Sequence, residues 1–331
     1  MKNRINIRAI DGELIRKTLT PDICIDLMDK AMRKVSLGEA ELPLRWGMRL
    51  PNGNGALGMM PGYISEPECF GIKLVSLFPG NSQAGLPSHM GLMVLFEAGN
   101  GQPVALLDGN VITAIRTGAA SALATRELAR PGASRLAILG AGEQALSHVP
   151  HLLAVREIRS IALTDRDHEK AKRVADALTR QYGVMVEARK TVRATVKNAD
   201  IICTLTTAAK PILKADWISD GAHLNLVGSS HPECAEVDTA TVVRGRFFVD
   251  YRKSTLDQAG EFLKAMDEGQ IGTEHICGEI GQVLLGEVPG RQSADEVTIY
   301  KSLGIAAQDL VAAEFVYRMA CHTGQGAVVE M

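Results

Sequence analysis

Five cations stand out in the first 116 residues: Arg45, Arg49, Lys73, His89 and Arg116, lying in or beside turns or at the end of this stretch. Arginine can grip a carboxylate with two parallel hydrogen bonds, while lysine offers a compact charge and a movable proton. Most such residues are ordinary surface charges. Arg116 is different, because it sits among Ile115, Thr117, Gly118, Ala119 and Ala120. A cation in so small and apolar a setting needs a partner, and the acid group of a substrate would serve. Lys73, inside the apolar GIKLVS stretch, raises the same question. His89 in LPSHMG suits a proton donor near neutral pH, or equally a turn residue bonded to backbone. His231 in GSSHPE is open between cofactor contact and turn structure.

A second constellation handles phosphate. Gly140-Ala141-Gly142-Glu143-Gln144-Ala145 reads G-x-G-x-x-A, directly after the apolar RLAIL and at the head of a helical stretch. The first glycine permits a tight turn and the second lets backbone approach a pyrophosphate. Ala145 allows close helix–strand packing, and the helix N-terminus supplies N–H donors. Another apolar run ends at Asp165, about twenty residues on, where an acid can accept bonds from ribose hydroxyls. That carboxylate would repel a 2′-phosphate and favours NAD, whereas the adjacent Arg166 could pair with one, as NADP requires. NAD or NADP is the expected cofactor, with NAD favoured. Pro150 should kink the helix that follows the turn.

The elements that must carry these residues follow from periodicity. Thr20–Ser36 places Cys24, Leu27, Met28, Ala31, Met32 and Val35 on one stripe after a Thr-Pro-Asp start, which predicts a capped amphipathic helix. From Leu42 to Gly109, short apolar stretches alternate with Gly, Pro and Asn, and Asn-Gly steps at 52–53, 54–55 and 100–101 predict antiparallel hairpins. Val111–Arg130 reads as a helix. From Ser134 onward, strands at 135–139, 160–165, 199–206, 221–230, 246–250 and 296–300 alternate with helical segments such as 168–183. That alternation predicts a doubly wound parallel sheet. Gly304–Arg318 is a long helix that this sheet does not need.

Bulk properties narrow the function classes. The chain has 331 residues, room for about two domains, with 46% hydrophobic and 22% charged residues, so neither disorder nor a collagen-like repeat fits. Thirty-six Lys and Arg against 38 Asp and Glu give a net charge of -2, and nucleic acid is an unexpected partner for such a balance. Six scattered cysteines contain no C-x-x-C pair, so neither a metal site nor a disulfide framework is expected. The N-terminus is charged throughout, and no apolar run is long enough for a membrane span. A soluble cytoplasmic protein is expected.

Several segments then point one way together. GIKLVS, LPSHMGLMVLFEAGNGQPVALLDGNVITAIRTGAASALATREL, LAILGAGEQA, LVGSSHPECAEVD, GEIGQVLLGEVPGR and TIYKSLGIAAQDLVAAEFVY strongly resemble the ornithine cyclodeaminase/mu-crystallin family over nearly the whole chain. The resemblance implies a Rossmann NAD(P)-binding domain (116–304) inserted into an α+β substrate-binding and dimerisation domain (1–115 plus 305–331), in a homodimer. It implies that Arg45, Lys73 and Arg116 contact a substrate carboxylate. It further implies nucleotide contacts at Ser88, Thr117, Gly140, Gly142, Glu143, Gln144, Asp165, Arg166, Thr206, Gly228 and Ser229, and a closing loop at Ser302, Leu303 and Gly304. His89 and Leu303 are expected beside the substrate, and no metal is expected. Ornithine cyclodeaminases carry an Asp in the segment matching Val227–Pro232, where Ser230 stands here. The GSSHP form resembles ketimine reductases, which reduce cyclic imines such as Δ1-pyrroline-2-carboxylate or Δ1-piperideine-2-carboxylate. The alternatives are a cyclodeaminase, an alanine-type amino-acid dehydrogenase, or a mu-crystallin-like protein that binds NAD(P)H or another ligand without turnover.

Overall fold

The computed structural model describes residues 5–331 and divides the chain into two compact units. One comprises the residues up to Arg116 together with Ile305–Met331, and the other is Thr117–Gly304.

The first unit is built on an eight-stranded sheet. Its order is Ala327–Glu330, Asn6–Ile10, Pro103–Asp108, His89–Phe96, Glu68–Leu77, Ala56–Ser65 and Ala40–Glu41, with Trp46–Arg49 also pairing to Ala56–Ser65. The expected hairpins form across the Asn-Gly steps, and all pairs are antiparallel except that of Asn6–Ile10 with Pro103–Asp108. Helix Pro21–Ser36 buries the expected stripe, Cys24, Leu27, Met28, Ala31, Met32 and Val35. Its N-cap differs from expectation: Thr20 makes no side-chain capping bond, and the start relies on Pro21, whose ring fixes a helical φ.

The long C-terminal helix, Ala306–Thr323, packs on this sheet because two glycines admit it. Gly62 and Gly71 face each other across adjacent strands. A Cβ on Gly62 would lie 2.8 Å from Ala306 Cβ, and one on Gly71 would lie 3.1 Å from Leu310 Cδ2. Lys73, two residues beyond Gly71 and therefore on the same face of its strand, is brought under the first turns of this helix.

The second unit is the doubly wound sheet that the alternation predicts. Its strands, all parallel, run Met185–Ala188, Ser160–Thr164, Arg135–Leu139, Ile201–Thr204, His223–Leu226, Thr298–Lys301, Arg246–Val249 and Ile276–Glu279. Strand order reverses between Arg135–Leu139 and Ile201–Thr204, and ligands in such sheets bind outside the carboxyl ends at that reversal. Helix His168–Tyr182 begins at Asp167, which accepts the Lys170 N–H at 3.0 Å, and ends on Gly183 at φ 69°. Helix Glu143–Val155 continues through Pro150 without a break in its assignment.

Candidate functional site

In the first unit, the site is organised by a residue that sequence reasoning passed over. Asp309, on the C-terminal helix, is wholly buried and divides its carboxylate between two cations. Lys73 Nζ donates to Oδ2 at 2.7 Å, and Arg116 Nε donates to Oδ1 at 2.9 Å. Arg116 Nη1 also donates to Gln308 Oε1 at 2.9 Å, while the Gln308 amide reaches Met32 Sδ at 3.4 Å. Thr113 Oγ1 stands 3.5 Å from Lys73 Nζ. The need of Arg116 for a partner is met within this unit, by Asp309 and Gln308.

The electrostatics still favour an anionic ligand. Burial, with Arg116 and Arg45 adding to it, brings the Lys73 ammonium down to about 8, against the opposing pull of Asp309. Burial alone would raise Asp309, but Arg116 and Lys73 overcome it and hold the carboxyl below the usual range. Arg45 is half-buried and its charge reaches Lys73. Two cations, Lys73 and Arg116, against the one carboxylate of Asp309 leave the group net positive. Asp309 and Gln308 engage Nε and Nη1 of Arg116, so neither occupies Nη2.

His89 is placed apart from this group. It opens the His89–Phe96 strand, exposed, with Nδ1 3.1 Å from Ser88 Oγ. It pairs opposite Leu77, four residues along the strand from Lys73, which is about 13 Å at the usual rise. Arg49 is exposed, opposite Ala56.

In the second unit, Gly140 adopts φ +109°, and a Cβ there would fall 2.6 Å from the Leu205 carbonyl oxygen, so only glycine fits. Gly142 contrasts with it. It caps helix Glu143–Val155 in an extended conformation that any residue can adopt, and no atom lies within 4 Å of its would-be Cβ. The fold places nothing there, which is the open approach a pyrophosphate needs. The first-turn N–H groups of Glu143 and Gln144 have no helical carbonyl to bond, and Gln144 Oε1 is buried without a partner.

Asp165 directly follows the Ser160–Thr164 strand, and its carboxylate also braces the turn. Oδ2 accepts the Ala141 N–H at 2.8 Å and Oδ1 accepts the Asp167 N–H at 3.0 Å. Burial pulls its pKa upward, but those two N–H groups, with Lys170 and Arg166 nearby, hold it below the usual value. Arg166 is exposed beside it.

Thr206 and Gly228 meet through Glu236, another buried residue missed in sequence. Its Oε1 accepts the Thr206 N–H at 2.8 Å and Oγ1–H at 2.7 Å. Its Oε2 accepts Thr204 Oγ1–H at 2.6 Å and the Gly228 N–H at 2.8 Å. Burial raises its pKa despite these donors and the charge of Lys301. Any side chain at Gly228 would strike Thr206 oxygen at 2.0 Å. Ser229 is buried; its hydroxyl donates to the Cys234 carbonyl at 2.6 Å, and its own carbonyl accepts Lys301 Nζ at 2.5 Å. Lys301 also pairs with the buried Glu261 at 2.8 Å. Asp250 fixes the 302–304 loop, accepting the N–H groups of Leu303 at 2.7 Å and Gly304 at 2.6 Å. Ser302 Oγ there is buried and unpaired. Thr117 is buried at the head of this unit and His231 is exposed. Among the described residues, no cluster of three or more His, Cys, Asp or Glu could hold a metal.

The model of the ornithine cyclodeaminase/mu-crystallin family matches residues 12–324. The chain belongs to that family. The Δ1-pyrroline-2-carboxylate reductase of Bacillus cereus is 33% identical over 301 residues, covering 91% of this chain and 92% of that protein. Mouse ketimine reductase mu-crystallin is 36% identical over 275 residues, covering 83% and 84%. The solved structure of Thermococcus litoralis Δ1-pyrroline-2-carboxylate reductase, in complex with NADH and L-proline, superposes with a TM-score of 0.94 at 32% identity, covering 97% of this chain and 99% of that one.

For this family member, the residues that sequence reasoning missed share one property. Asp309, Gln308, Glu236 and Asp250 are all buried polar groups, and the first two lie inside an otherwise apolar run. A charged residue in AAQDLVAAEFVY, with no polar face to occupy, is an anomaly that could have been flagged.

Proposed function

We propose that this protein is an NAD(P)H-dependent ketimine reductase that reduces a small cyclic 2-imino acid, Δ1-pyrroline-2-carboxylate to L-proline or Δ1-piperideine-2-carboxylate to L-pipecolate. The observation that carries this reading is the buried, net-positive group of Lys73 and Arg116 around Asp309, with the charge of the half-buried Arg45 reaching Lys73. It suits a ligand with one carboxylate and a nitrogen that must receive a proton. The names of the relatives at 33% and 36% identity support the same chemistry. Ser230 stands where a cyclodeaminase carries its Asp, which disfavours handling of a distal amine.

The cofactor residues are Gly140, Gly142, Glu143 and Gln144 at the pyrophosphate, Asp165 and Arg166 at the adenosine ribose, and Thr206, Gly228, Ser229 and Ser302 at the nicotinamide end. NADH is favoured, because Asp165 is held as an anion and would repel a 2′-phosphate. When bound, the reduced nicotinamide supplies the hydride that adds to the imine carbon. Arg45 and Arg116 hold the substrate carboxylate, Arg116 through the Nη2 that Asp309 and Gln308 leave open. Lys73 keeps a proton at the imine nitrogen, which makes the carbon a far better hydride acceptor, and the product amine retains that proton. Hydride plus proton converts C=N to CH–NH.

The working form is a homodimer. On the face of the first unit's sheet opposite Lys73, Trp46, Met59, Leu74 and Leu92 lie in one cross-strand row, and Met48, Leu57, Ser76 and Met90 in the next. Trp46, Met48, Met90 and Leu92 are each more than 40% exposed. So continuous an apolar face asks for cover, and a second copy of the chain provides it. The six free cysteines suit the reducing cytoplasm.

The test is oxidation of NADH and NADPH with Δ1-pyrroline-2-carboxylate, Δ1-piperideine-2-carboxylate, and pyruvate plus ammonium, alongside ammonia release from ornithine. Turnover on a cyclic imine, with NADH preferred, is expected. Turnover only on pyruvate plus ammonium or on ornithine would replace the reading, and tight NADH binding without turnover would make it a binding protein.

A further inference from the structure

Lys73 and Arg116 are given roles by the proposed reaction, but neither can act alone in its surroundings. Both are nearly inaccessible to solvent, with side chains 4% and 5% exposed. Two cations so placed repel each other and lose hydration, and each effect drives the lysine toward its neutral form. A neutral amine has no ammonium proton to deliver to the imine nitrogen. What counters this is a single carboxylate with no solvent exposure, Asp309, bonded to one cation through each oxygen.

The geometry does more than supply charge. Asp309 and Gln308 are consecutive on the C-terminal helix and take Nε and Nη1 of Arg116, which fixes the guanidinium plane. The same Asp309 takes one of three Lys73 protons, and Thr113 stands near enough for a second, longer contact at 3.5 Å. At least one Lys73 donor and the Arg116 Nη2 are left for a ligand. The helix is seated by Gly62 and Gly71, so the carboxylate's position is set by backbone packing rather than by a mobile loop.

Resting on the ketimine reductase reading, we propose that Asp309 is the positioning residue of the site: it holds Lys73 as an ammonium and Arg116 in a fixed orientation, so that both cations present their remaining donors to the imino acid. The charged and titratable groups facing Lys73 and Asp309 are Arg116 and Arg45, with the buried Cys24 thiol adjoining Arg116. Cys24 is pushed up to about 12 by burial and stays neutral, so Asp309 is the only anion in this set.

The experiment is a titration of Lys73 in protein carrying 13C-labelled lysine, its signal assigned by its loss in Lys73→Met, together with pH profiles of kcat and KM. In Asp309→Asn, the Lys73 titration is expected to move down by about one pH unit or more. The alkaline limb of kcat/KM should follow it, with kcat reduced about threefold or more at pH 7.5 and the NADH Kd changed less than about twofold. Arg116→Met is the second variant, in case the neutral amide introduced by Asp309→Asn prevents folding. Removing one cation leaves Asp309 to Lys73 alone, and the Lys73 titration should move up. A Lys73 titration unchanged in either variant overturns the proposal. The NMR readout does not depend on the substrate. Variants that show the expected titration shifts, beside a wild type that reduces no imine, refute the reaction and leave the hold of Asp309 on Lys73 standing.

Discussion

Gly140 and Gly142 occupy the same turn, yet the structure predicts opposite consequences for replacing them with alanine. At Gly142 the backbone lies at φ -90°, open to any residue, and nothing surrounds the new methyl within 4 Å. Alanine is a poorer N-cap than glycine by several tenths of a kcal/mol, and its stiffer unfolded chain returns about 0.4–1 kcal/mol. The net change in stability should stay within about 1 kcal/mol, or roughly 2–4 °C in Tm for a unit of this size. In the proposed cofactor site, however, the methyl would stand where a pyrophosphate approaches the first-turn N–H groups of Glu143 and Gln144. Losing or lengthening one such charge-assisted bond costs about 1.5–3 kcal/mol, so the NADH Kd should rise about tenfold to a hundredfold. Gly140→Ala meets the Leu205 carbonyl oxygen at 2.6 Å with φ +109°, and should lose both stability, by about 1–3 kcal/mol, and binding. The assay is NADH fluorescence titration paired with thermal unfolding of both variants. Wild-type affinity in Gly142→Ala would refute the pyrophosphate cradle, and a Tm loss there equal to that of Gly140→Ala would refute the packing argument.

Other outcomes follow from the same geometry. Lys73→Met should abolish turnover while NADH binding stays within about twofold, since Lys73 belongs to the first unit and the dinucleotide turn to the second; retained turnover removes its assigned role. Asp200 tests pH dependence. Burial would raise its pKa, but Arg135 and the Ser134 and Arg135 N–H groups bring it down to about 2. A depressed carboxylate pKa stabilises the fold above the unfolded value and loses that contribution as pH falls through the folded one. Asp200→Asn should therefore cost about 2 kcal/mol at pH 7, the difference from wild type shrinking between about pH 4 and pH 2. A gap that stays constant over that window contradicts the assignment. Paired Met90→Lys and Leu92→Lys substitutions on the apolar sheet face should give a monomer in sedimentation velocity, and an unchanged dimer would place the interface elsewhere.

Much of the molecule is readable without coordinates. The 3.6-residue stripe of Pro21–Ser36, the alternation that builds the parallel sheet, and the glycine turn ending at an acid about twenty residues on all depend on local backbone geometry and spacing, which the residue order carries directly. The Ala327–Glu330 and Ile276–Glu279 strands escape such reading, because neither shows a pattern apart from its neighbour. The partners of the cations lie further beyond it. Asp309 is 236 residues from Lys73 and 193 from Arg116, and every residue from Ala306 to Glu314 is buried, so no polar face marks the carboxylate's direction. From sequence, a buried arginine only announces that it needs an anion. That the anion is Asp309, and that the group keeps a positive surplus, was decided by tertiary structure: Gly62 and Gly71 let a returning helix sit close enough to put one carboxylate between two cations.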